Sequence, residues 1–342
     1  MSALPCRKDY DCSPLDPIAM EQRRRQFLRL VAASAVTSAV SGHGRAETYP
    51  SRPVRLIVGF APGGTSDILA RLIGQRLSER LGQQFIVDNR PGAGGNIGAD
   101  AAVKSPPDGQ TMLLINAANA SNTSLYENLS FNFIRDIVPV AGIFTGPFVM
   151  VVHPSVPAKT VPEFIAYAKA NSGKLNLASP GIGSTVHLCG ELFKMMTGVD
   201  LVHVPVRTGA IPMLLSGELH VQFATTPQTL AHIRSGRLRA IAVTTAKRAE
   251  ALSNIPTVGE SVPGYEASDW YGVGAPKGTP PHIVKLLNQQ ISSIVAEPGI
   301  SSRLMEFGGA PMIVSPDELQ QIIVKDTEKW SKVVRASGAK GE

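Results

Sequence analysis

The chain of 342 residues is long enough for two domains, each with its own hydrophobic core. Apolar residues make up 43% and charged residues 18% of it, which excludes a disordered or fibrous protein. The formal charge is +6, but residues 1–46 contain seven basic and four acidic residues, which leaves +3 for the remainder. This small positive excess predicts no nucleic-acid partner.

The first 46 residues have the pattern of an export signal. The arginine-rich run Arg23–Arg29 precedes the short apolar run Leu30–Val40, and small residues follow at Gly44 and Ala46. The apolar run is too short to span a bilayer, so we predict no membrane insertion of the mature chain. Paired arginines favour twin-arginine export, and a Sec-type signal with extra arginines fits as well.

The mature chain begins with alternating strand and helix patterns. Val54–Phe60 is an apolar run typical of a buried parallel strand, and a glycine turn at Ala61–Asp67 follows it. Apolar residues then recur at helical spacing over Ile68–Leu81. Two further strands are predicted at Phe85–Val87 and Thr111–Ile115. This order of elements predicts a mostly parallel sheet that is flanked by helices.

A second set of elements follows a long apolar stretch at Val138–Val152, which we interpret as a crossing between two lobes. Thr160–Glu163 has the spacing of a capping box. A strand at Leu175–Ala178 leads into a second glycine turn at Ser179–Thr185, and the next helix ends at Gly198. Further strands are predicted at Leu201–Val204, Val221–Ala224 and Ala240–Thr244, and helices at His282–Ala296, from Ser315, and from the N-cap Thr226 with Pro227 at its first position.

The two glycine turns predict anion sites. In each, a strand ends and a helix begins, glycines expose backbone N–H groups, and Ser or Thr hydroxyls add donors. No lysine follows Gly64, which excludes a nucleotide triphosphate loop, and the glycine-dense loop Gly92–Gly98 misses the dinucleotide spacing. A carboxylate is therefore the predicted ligand. Either turn alone is also compatible with a tight connection that binds nothing.

Two further positions have open interpretations. Asp67, in the first turn of its helix, either complements the helix dipole or binds an ammonium or hydroxyl group of the ligand. Trp270-Tyr271, directly after Asp269, fits a pocket wall, a lobe interface or plain core.

Residues for catalysis and metal binding are poorly arranged. Ser66 and Ser184 lie near glycines but do not fit the nucleophile-elbow pattern, and the histidines have no metal-ligand spacing. Cys189 lies on a predicted helix among apolar residues, which indicates packing. The other two cysteines lie in the export signal, so no intramolecular disulfide is expected. We predict no enzyme activity, no cofactor and no metal.

Six segments of the mature chain carry a resemblance to a known family. They resemble the Bug receptors, the substrate-binding proteins of tripartite tricarboxylate transporters in Gram-negative bacteria. The resemblance covers the chain from about Tyr49 to near the C-terminus. The segments are Pro62–Asp67 with Ala70-Arg71, Val87–Gly98, Pro107–Gly109, Ala178–Gly181, Gly190–Phe193 and Ile255–Val258.

The resemblance implies a two-lobed α/β fold of the periplasmic-binding-protein type (type II). Each lobe is expected to have a mixed, mostly parallel sheet flanked by helices, with crossing segments as the hinge. Residues 47–149 and 266–342 would form one lobe and residues 150–265 the other. The implied protein is a periplasmic, monomeric receptor that closes over a small carboxylated ligand and delivers it to the membrane subunits of a transporter.

The resemblance also implies a site. The first strand–helix loop and its counterpart in the other lobe would hold one ligand carboxylate, and Asn116–Ala118 would face the distal end. Val206-Arg207-Thr208 and Gln222 depart from the family pattern, which leaves the ligand's identity open. The predicted ligand-binding residues are Phe60, Gly63, Gly64, Thr65, Asp67, Asn116, Ala118, Ser179, Gly181, Gly183, Ser184, Thr185 and Arg207.

Two other functions stay open at this point. One is a periplasmic hydrolase or transferase that uses the same cleft, with Ser184 or His187 in its chemistry; turnover of a bound carboxylate would favour it. The other is a regulatory sensor domain without a transporter partner. The presence or absence of transporter membrane genes beside this gene would separate the sensor from the transport receptor.

Overall fold

The computed structural model describes residues 49–206 and 209–341, so the predicted export signal and Arg207 lie outside the described residues. The strands of the described part are β1 (Val54–Val58), β2 (Phe85–Asn89), β3 (Thr111–Asn116), β4 (Ile137–Val152), β5 (Asn176–Ser179), β6 (Val202–Pro205), β7 (Val221–Thr225), β8 (Arg239–Val243), β9 (Ser268–Pro276) and β10 (Ala310–Pro311). Its helices are α1 (Thr65–Leu81), α2 (Asn96–Val103), α3 (Ala117–Leu125), α4 (Phe133–Asp136), α5 (Val161–Ala170), α6 (Thr185–Thr197), α7 (Ile211–Ser216), α8 (Thr226–Arg234), α9 (Pro281–Val295), α10 (Pro298–Glu306) and α11 (Pro316–Ser337).

These strands form two mixed sheets. The first has the order β2-β1-β3-β9-β4, with β10 also paired to β4, and the second has the order β4-β7-β5-β6, with β8 also paired to β4. Strand β1 is parallel to β2 and β3, and β5 is parallel to β6 and β7. The predicted α/β class with mixed sheets is therefore confirmed. The sequence analysis did not predict β9, which lies antiparallel between β3 and β4.

Strand β4 joins the two sheets. The apolar stretch that was interpreted as a crossing is one continuous strand of 16 residues. Its first part pairs with β9 as far as Pro147, and its last part, from Phe148, pairs with β7 and β8. Thr244 ties this junction together, because its hydroxyl hydrogen-bonds to the Phe148 N–H and donates to the Ala267 carbonyl. Both sheets lie within one compact unit, Tyr49–Glu342, and the lobe boundaries stay a prediction.

Each sheet is covered by helices on both faces. Alternate residues of β1 enter different cores: Leu56 packs towards α1 and α9, whereas Ile57 packs with α2 and α3. The last helix, α11, connects the cores, since its Leu319 lies in a core of the first sheet and its Trp330 in a core of the second. Burial of this helix at both ends stabilises the pairing of the two sheets.

Three local predictions needed correction. Strand β1 ends at Val58, two residues early, and the Phe60 carbonyl instead accepts a hydrogen bond from the Asn89 side chain. Helix α8 has Thr225 as its N-cap, because the Thr226 hydroxyl bonds to the Pro147 carbonyl. In the predicted capping box of α5, Thr160 caps the helix as expected, but the Glu163 carboxylate accepts from the N–H of Lys159.

The glycine-dense loop has a packing role. It brings the start of α2 against the end of β1, where a Cβ atom on Gly98 would lie 2.8 Å from the Cα of Gly59. Gly94 and Gly95 have positive φ angles of 63° and 96°, which side chains disfavour. These glycines are therefore required by close backbone approach and turn geometry.

We predict that Gly98→Ala lowers the free energy of unfolding by ~1–3 kcal/mol, because its methyl group would overlap backbone atoms that cannot rotate away. Urea denaturation monitored by circular dichroism measures this change. Gly299→Ala in α10 is the matched control, since a Cβ there meets nothing within 4 Å and the control should keep or slightly raise the stability. Equal stability of Gly98→Ala and the wild type would contradict this packing role.

Candidate functional site

A cleft of about 920 Å³ lies between the helix ends of the two sheets. It is lined from both sheets, by the loops after β1 and β3 on one side and by those after β5 and β7 on the other. The predicted residues that line it are Phe60, Gly64, Thr65, Asn116, Ala118, Gly181, Gly183, Ser184 and Thr185. Gly63, Asp67 and Ser179 lie outside its lining, and Arg207 lies outside the described residues.

Four helices begin at the cleft. The N-cap residues of α1, α3, α6 and α8 all line it, and they are Gly64, Asn116, Ser184 and Thr225. The first N–H groups of a helix have no partner within the helix and carry the positive end of its dipole, so they favour an anion. The described residues that line the cleft include no lysine, arginine or histidine. The helix ends therefore supply the positive potential of this lining.

Asp67 holds the first glycine loop in place. Its Oδ2 accepts a hydrogen bond from the Gly63 N–H at 3.0 Å and another from Arg71 Nε at 2.9 Å. The hydrogen bond from Arg71 is the largest effect that holds the pKa of Asp67 below its usual value. The Gly63 N–H is therefore used inside the loop, and the residues that follow it, Gly64, Thr65 and Ser66, line the cleft.

Two histidines hold the second glycine loop. The Gly183 N–H donates to His187 Nδ1 at 3.0 Å, and His203 Nε2 lies 2.6 Å from the Oγ of Ser179. That hydroxyl also accepts from the Gly181 N–H at 3.1 Å. Ser179 and these two imidazoles therefore support the loop from behind, while its Ser184–Thr185 end starts α6 at the cleft.

The two imidazoles are stacked, with ring centroids 3.8 Å apart. Burial first, and then the neighbouring His187, lower the pKa of His203 to about 4. Next to them, burial opposes ionisation of Glu191, but hydrogen bonds from His187 and Lys194 outweigh it and lower the pKa of that carboxyl. Protonation of His203 would place a positive charge in this buried stack, which disfavours the folded loop.

A serine hydroxyl lies within hydrogen-bond distance of an imidazole nitrogen at two places among the described residues, at Ser179 with His203 and at Ser155 with His153. The second pair is exposed and lies outside the lining of the cleft. Ser179 is fully buried and lies outside the lining of the cleft. Ser184 lines the cleft, but its hydroxyl donates to the Gly181 carbonyl and accepts from the backbone N–H of His187 rather than from the ring. None of these serines combines access to the cleft with an imidazole base.

Several residues of the cleft were missed by the sequence analysis. Asp269 of β9 lines it. Of the neighbouring pair whose interpretation was open, Tyr271 forms part of the pocket wall, whereas Trp270 lies in a core of the first sheet. Thr225 and Gln228 come from the start of α8. One sequence signal pointed to them: the predicted strand Val221–Ala224 is followed directly by the start of a helix. Asn122 and Tyr126, from α3 and its C-cap, are also part of the lining and carried no sequence signal.

Two features are absent from the described part of the chain. It contains no group of three or more His, Cys, Asp or Glu side chains that could hold a metal ion. None of its helices is both long and apolar enough to cross a membrane. Cys189 is completely buried in the core beside Tyr265, and burial raises the pKa of its thiol well above the usual range.

We predict that His203 makes the stability of the protein depend on pH between about pH 6.5 and pH 4. Its pKa is lower in the folded state than in the unfolded chain, so the unfolded state binds more protons in this window. The contribution of His203 is therefore complete above about pH 6.5 and is lost as the pH falls towards 4. Urea denaturation at a series of pH values measures it.

His203→Gln is the comparison, since a glutamine amide can still hydrogen-bond to the Ser179 hydroxyl and does not titrate. The difference in free energy of unfolding between wild type and variant should shrink or reverse as the pH falls. The difference is used because a second group also makes stability depend on pH. Burial raises the pKa of Asp269 to about 7, so its effect on stability is opposite in sign to that of His203; because both proteins contain Asp269, this effect cancels in the difference. A constant difference from pH 7 to pH 4 would contradict the prediction.

The comparisons with known proteins agree on one family. The family model described as "Tripartite tricarboxylate transporter family receptor" matches residues 69–339. The curated protein BugT of Bordetella pertussis is 36% identical over 320 residues, which cover 92% of this chain and 98% of that protein. A protein from the tcbD-tcbE intergenic region of a Pseudomonas species is 35% identical over 315 residues, which cover 91% of this chain and 94% of that protein.

Solved structures show the same likeness. Rpa4515 of R. palustris, solved with adipate, is 39% identical, has a TM-score of 0.77 and is matched over 85% of this chain and 99% of its own. The periplasmic binding protein BugD is 32% identical, with a TM-score of 0.74 and the coverages 85% and 99%. MatC of Rhodopseudomonas palustris, solved with malate, is 28% identical, with a TM-score of 0.74 over 84% of this chain and all of that one. The chain described here belongs to the receptor family of the tripartite tricarboxylate transporters, the Bug receptors.

Proposed function

We propose that this protein is a periplasmic receptor that binds a small carboxylate in the cleft and delivers it to a tripartite tricarboxylate-type transporter. The observation that carries this proposal is the convergence of four helix N-termini on a lining without a basic side chain among its described residues. Such a site stabilises a delocalised anion through several backbone N–H groups at once. The acids bound by Rpa4515 and MatC, adipate and malate, are carboxylates of suitable size.

Binding is coupled to closure of two lobes, residues 47–149 with 266–342 and residues 150–265. Support comes from the division of the anion site: α1 and α3 follow strands of the first sheet, and α6 and α8 follow strands of the second. A ligand that contacts both pairs of helix ends favours the closed state over the open one by its extra contacts. The hinge would be the junction in β4 near Pro147 and the Ala267–Ser268 segment before β9.

We also propose that the protein is exported, acts as a monomer and has no enzymatic step or cofactor. The sequence pattern of residues 1–46 supports export. The engagement of Ser184 by backbone groups, and the burial of Ser179, argue against hydrolysis in the cleft. A purified receptor should therefore bind its acid without changing it, and incubation of the bound acid followed by mass spectrometry measures this.

The function is tested first by identifying the ligand. Native mass spectrometry of the purified protein, followed by release and analysis of the bound molecule, should find a small carboxylic acid. A thermal-shift panel of carboxylates, with matched amides as controls, should raise the melting temperature for the acids only. The transport role predicts that deletion of the gene abolishes uptake of that acid and that a plasmid copy restores it.

We predict that the double variant Thr65→Val, Ser184→Val weakens carboxylate binding by about tenfold or more, because hydroxyl groups at two helix ends are removed from the site. Loss of the Ser184 cap also loosens the start of α6. Isothermal titration calorimetry with the identified acid measures the change, and circular dichroism checks the fold.

Thr197→Val is the matched control for this variant. Its hydroxyl donates to the Phe193 carbonyl at the far end of α6, away from the cleft, so the affinity should stay at the wild-type value. An unchanged affinity of the double variant would contradict the assignment of these two loops to the carboxylate.

A further inference from the structure

Asp269 is the carboxylate of the cleft. It lies on β9, is 8% exposed and is the one Asp or Glu among the described residues that line the cavity. Its Oδ2 accepts a hydrogen bond from the Tyr271 hydroxyl at 2.9 Å, and the backbone N–H of Trp270 bonds to the same carboxylate. The other carboxylate oxygen, Oδ1, accepts no hydrogen bond from Tyr271. An acidic side chain on the wall of an anion site requires an explanation, because like charges repel strongly when water is excluded.

No cation compensates this carboxylate within the described part of the chain. Tyr271 faces it from the same strand, and Cys189 faces it from α6; neither carries a positive charge. From α1 the uncharged hydroxyl of Thr65 hydrogen-bonds to Tyr271. Asp326 and Lys329 of α11 pair with each other at 2.7 Å, and Asp326 accepts from the Trp270 indole on the other face of β9.

These surroundings determine the protonation state of Asp269. Burial raises the pKa of Asp269 to about 7, so the side chain is partly protonated near neutral pH before any ligand enters. A ligand carboxylate beside it raises this pKa further, as in other pairs of carboxylates that share a site. The protonated form has an O–H group to donate, whereas the ionised form has none.

We propose that Asp269 binds its ligand in the protonated state and donates a hydrogen bond to a second carboxylate of that ligand, so that one proton enters with each dicarboxylate. This inference rests on the proposed function, in which the helix ends hold the first carboxylate. Asp269 is then a specificity residue: it selects acids whose second carboxylate reaches β9. The proton comes from solvent, the ligand enters as a dianion, and no covalent bond changes.

Calorimetric titration with a series of dicarboxylates from succinate to suberate tests the proposal. The tightest member should bind about 50- to 100-fold more weakly at about pH 9 than at about pH 6.5, since deprotonation of Asp269 competes with binding above its pKa. Repeating the titration at pH 8 in buffers with different ionisation enthalpies should show uptake of nearly one proton per ligand.

Three variants separate the roles of the groups. Asp269→Asn keeps a donor without a charge, so its affinity should stay within about threefold of the wild-type value at pH 6.5 over the whole range. Tyr271→Phe removes a hydrogen bond that lowers the pKa of Asp269, so the midpoint of the pH profile should move to higher pH. Asp326→Asn, a buried carboxylate behind the same strand, is the matched control and should keep the wild-type profile.

The alternative hypothesis is that Asp269 stays ionised and binds an ammonium group of the ligand. ε-Aminocaproate has the length of adipate with an amine at one end, and on that reading it would bind more tightly than adipate, and increasingly so with rising pH. That result, or a flat pH profile of wild-type dicarboxylate binding, would overturn the proposal. Failure of every carboxylate to bind at any pH would instead contradict the proposed function, so the two failures are distinguishable.

Discussion

The cleft depends on one constraint: an anion must be held by backbone dipoles, because the described lining offers no basic side chain. Helix ends act over a short range, so each must be placed accurately and kept rigid. The hydrogen bonds behind the loops meet this need. Asp67 holds the Gly63 N–H and His187 holds the Gly183 N–H, which fixes the two loops.

The same constraint explains the connection between the two sheets. Helix ends from both sheets can act on one ligand only if the sheets are joined at a fixed place beside it. Strand β4 provides this, since it belongs to both sheets and Phe148, at its junction, lines the cleft. Thr244 adds hydrogen bonds to both crossing segments at that point. The close packing of Gly98 on Gly59 sets the position of α2 beside β1 in the first sheet.

Sequence reasoning predicted the parts of this design that local pattern controls. The glycine turns, the helices after them and the N-cap at Thr160 follow from residue types at fixed spacing, and the structure has them close to the predicted bounds. Strand β9 escaped detection because its place depends on pairing with β3 and β4, which are distant in sequence. Asp269 reaches the cleft through such pairings, so no local pattern marks it as a site residue.

The distinction between local sequence pattern and long-range pairing also separates two tasks of the cleft: holding a carboxylate, and choosing among carboxylic acids. Backbone N–H groups at the glycine turns recognise a carboxylate and nothing else about its carrier, since every carboxylate presents the same two oxygens. In the proposed function, discrimination comes from side chains that face the rest of the ligand, and we expect these among the cleft residues of β9, α3 and α8. Strand pairing and helix packing fix the positions of these residues, and one of them also contacts the first glycine turn, since Tyr271 hydrogen-bonds to Thr65. In the proposed function, the capture of acids and the choice among them therefore rest on different parts of the chain that meet at this contact.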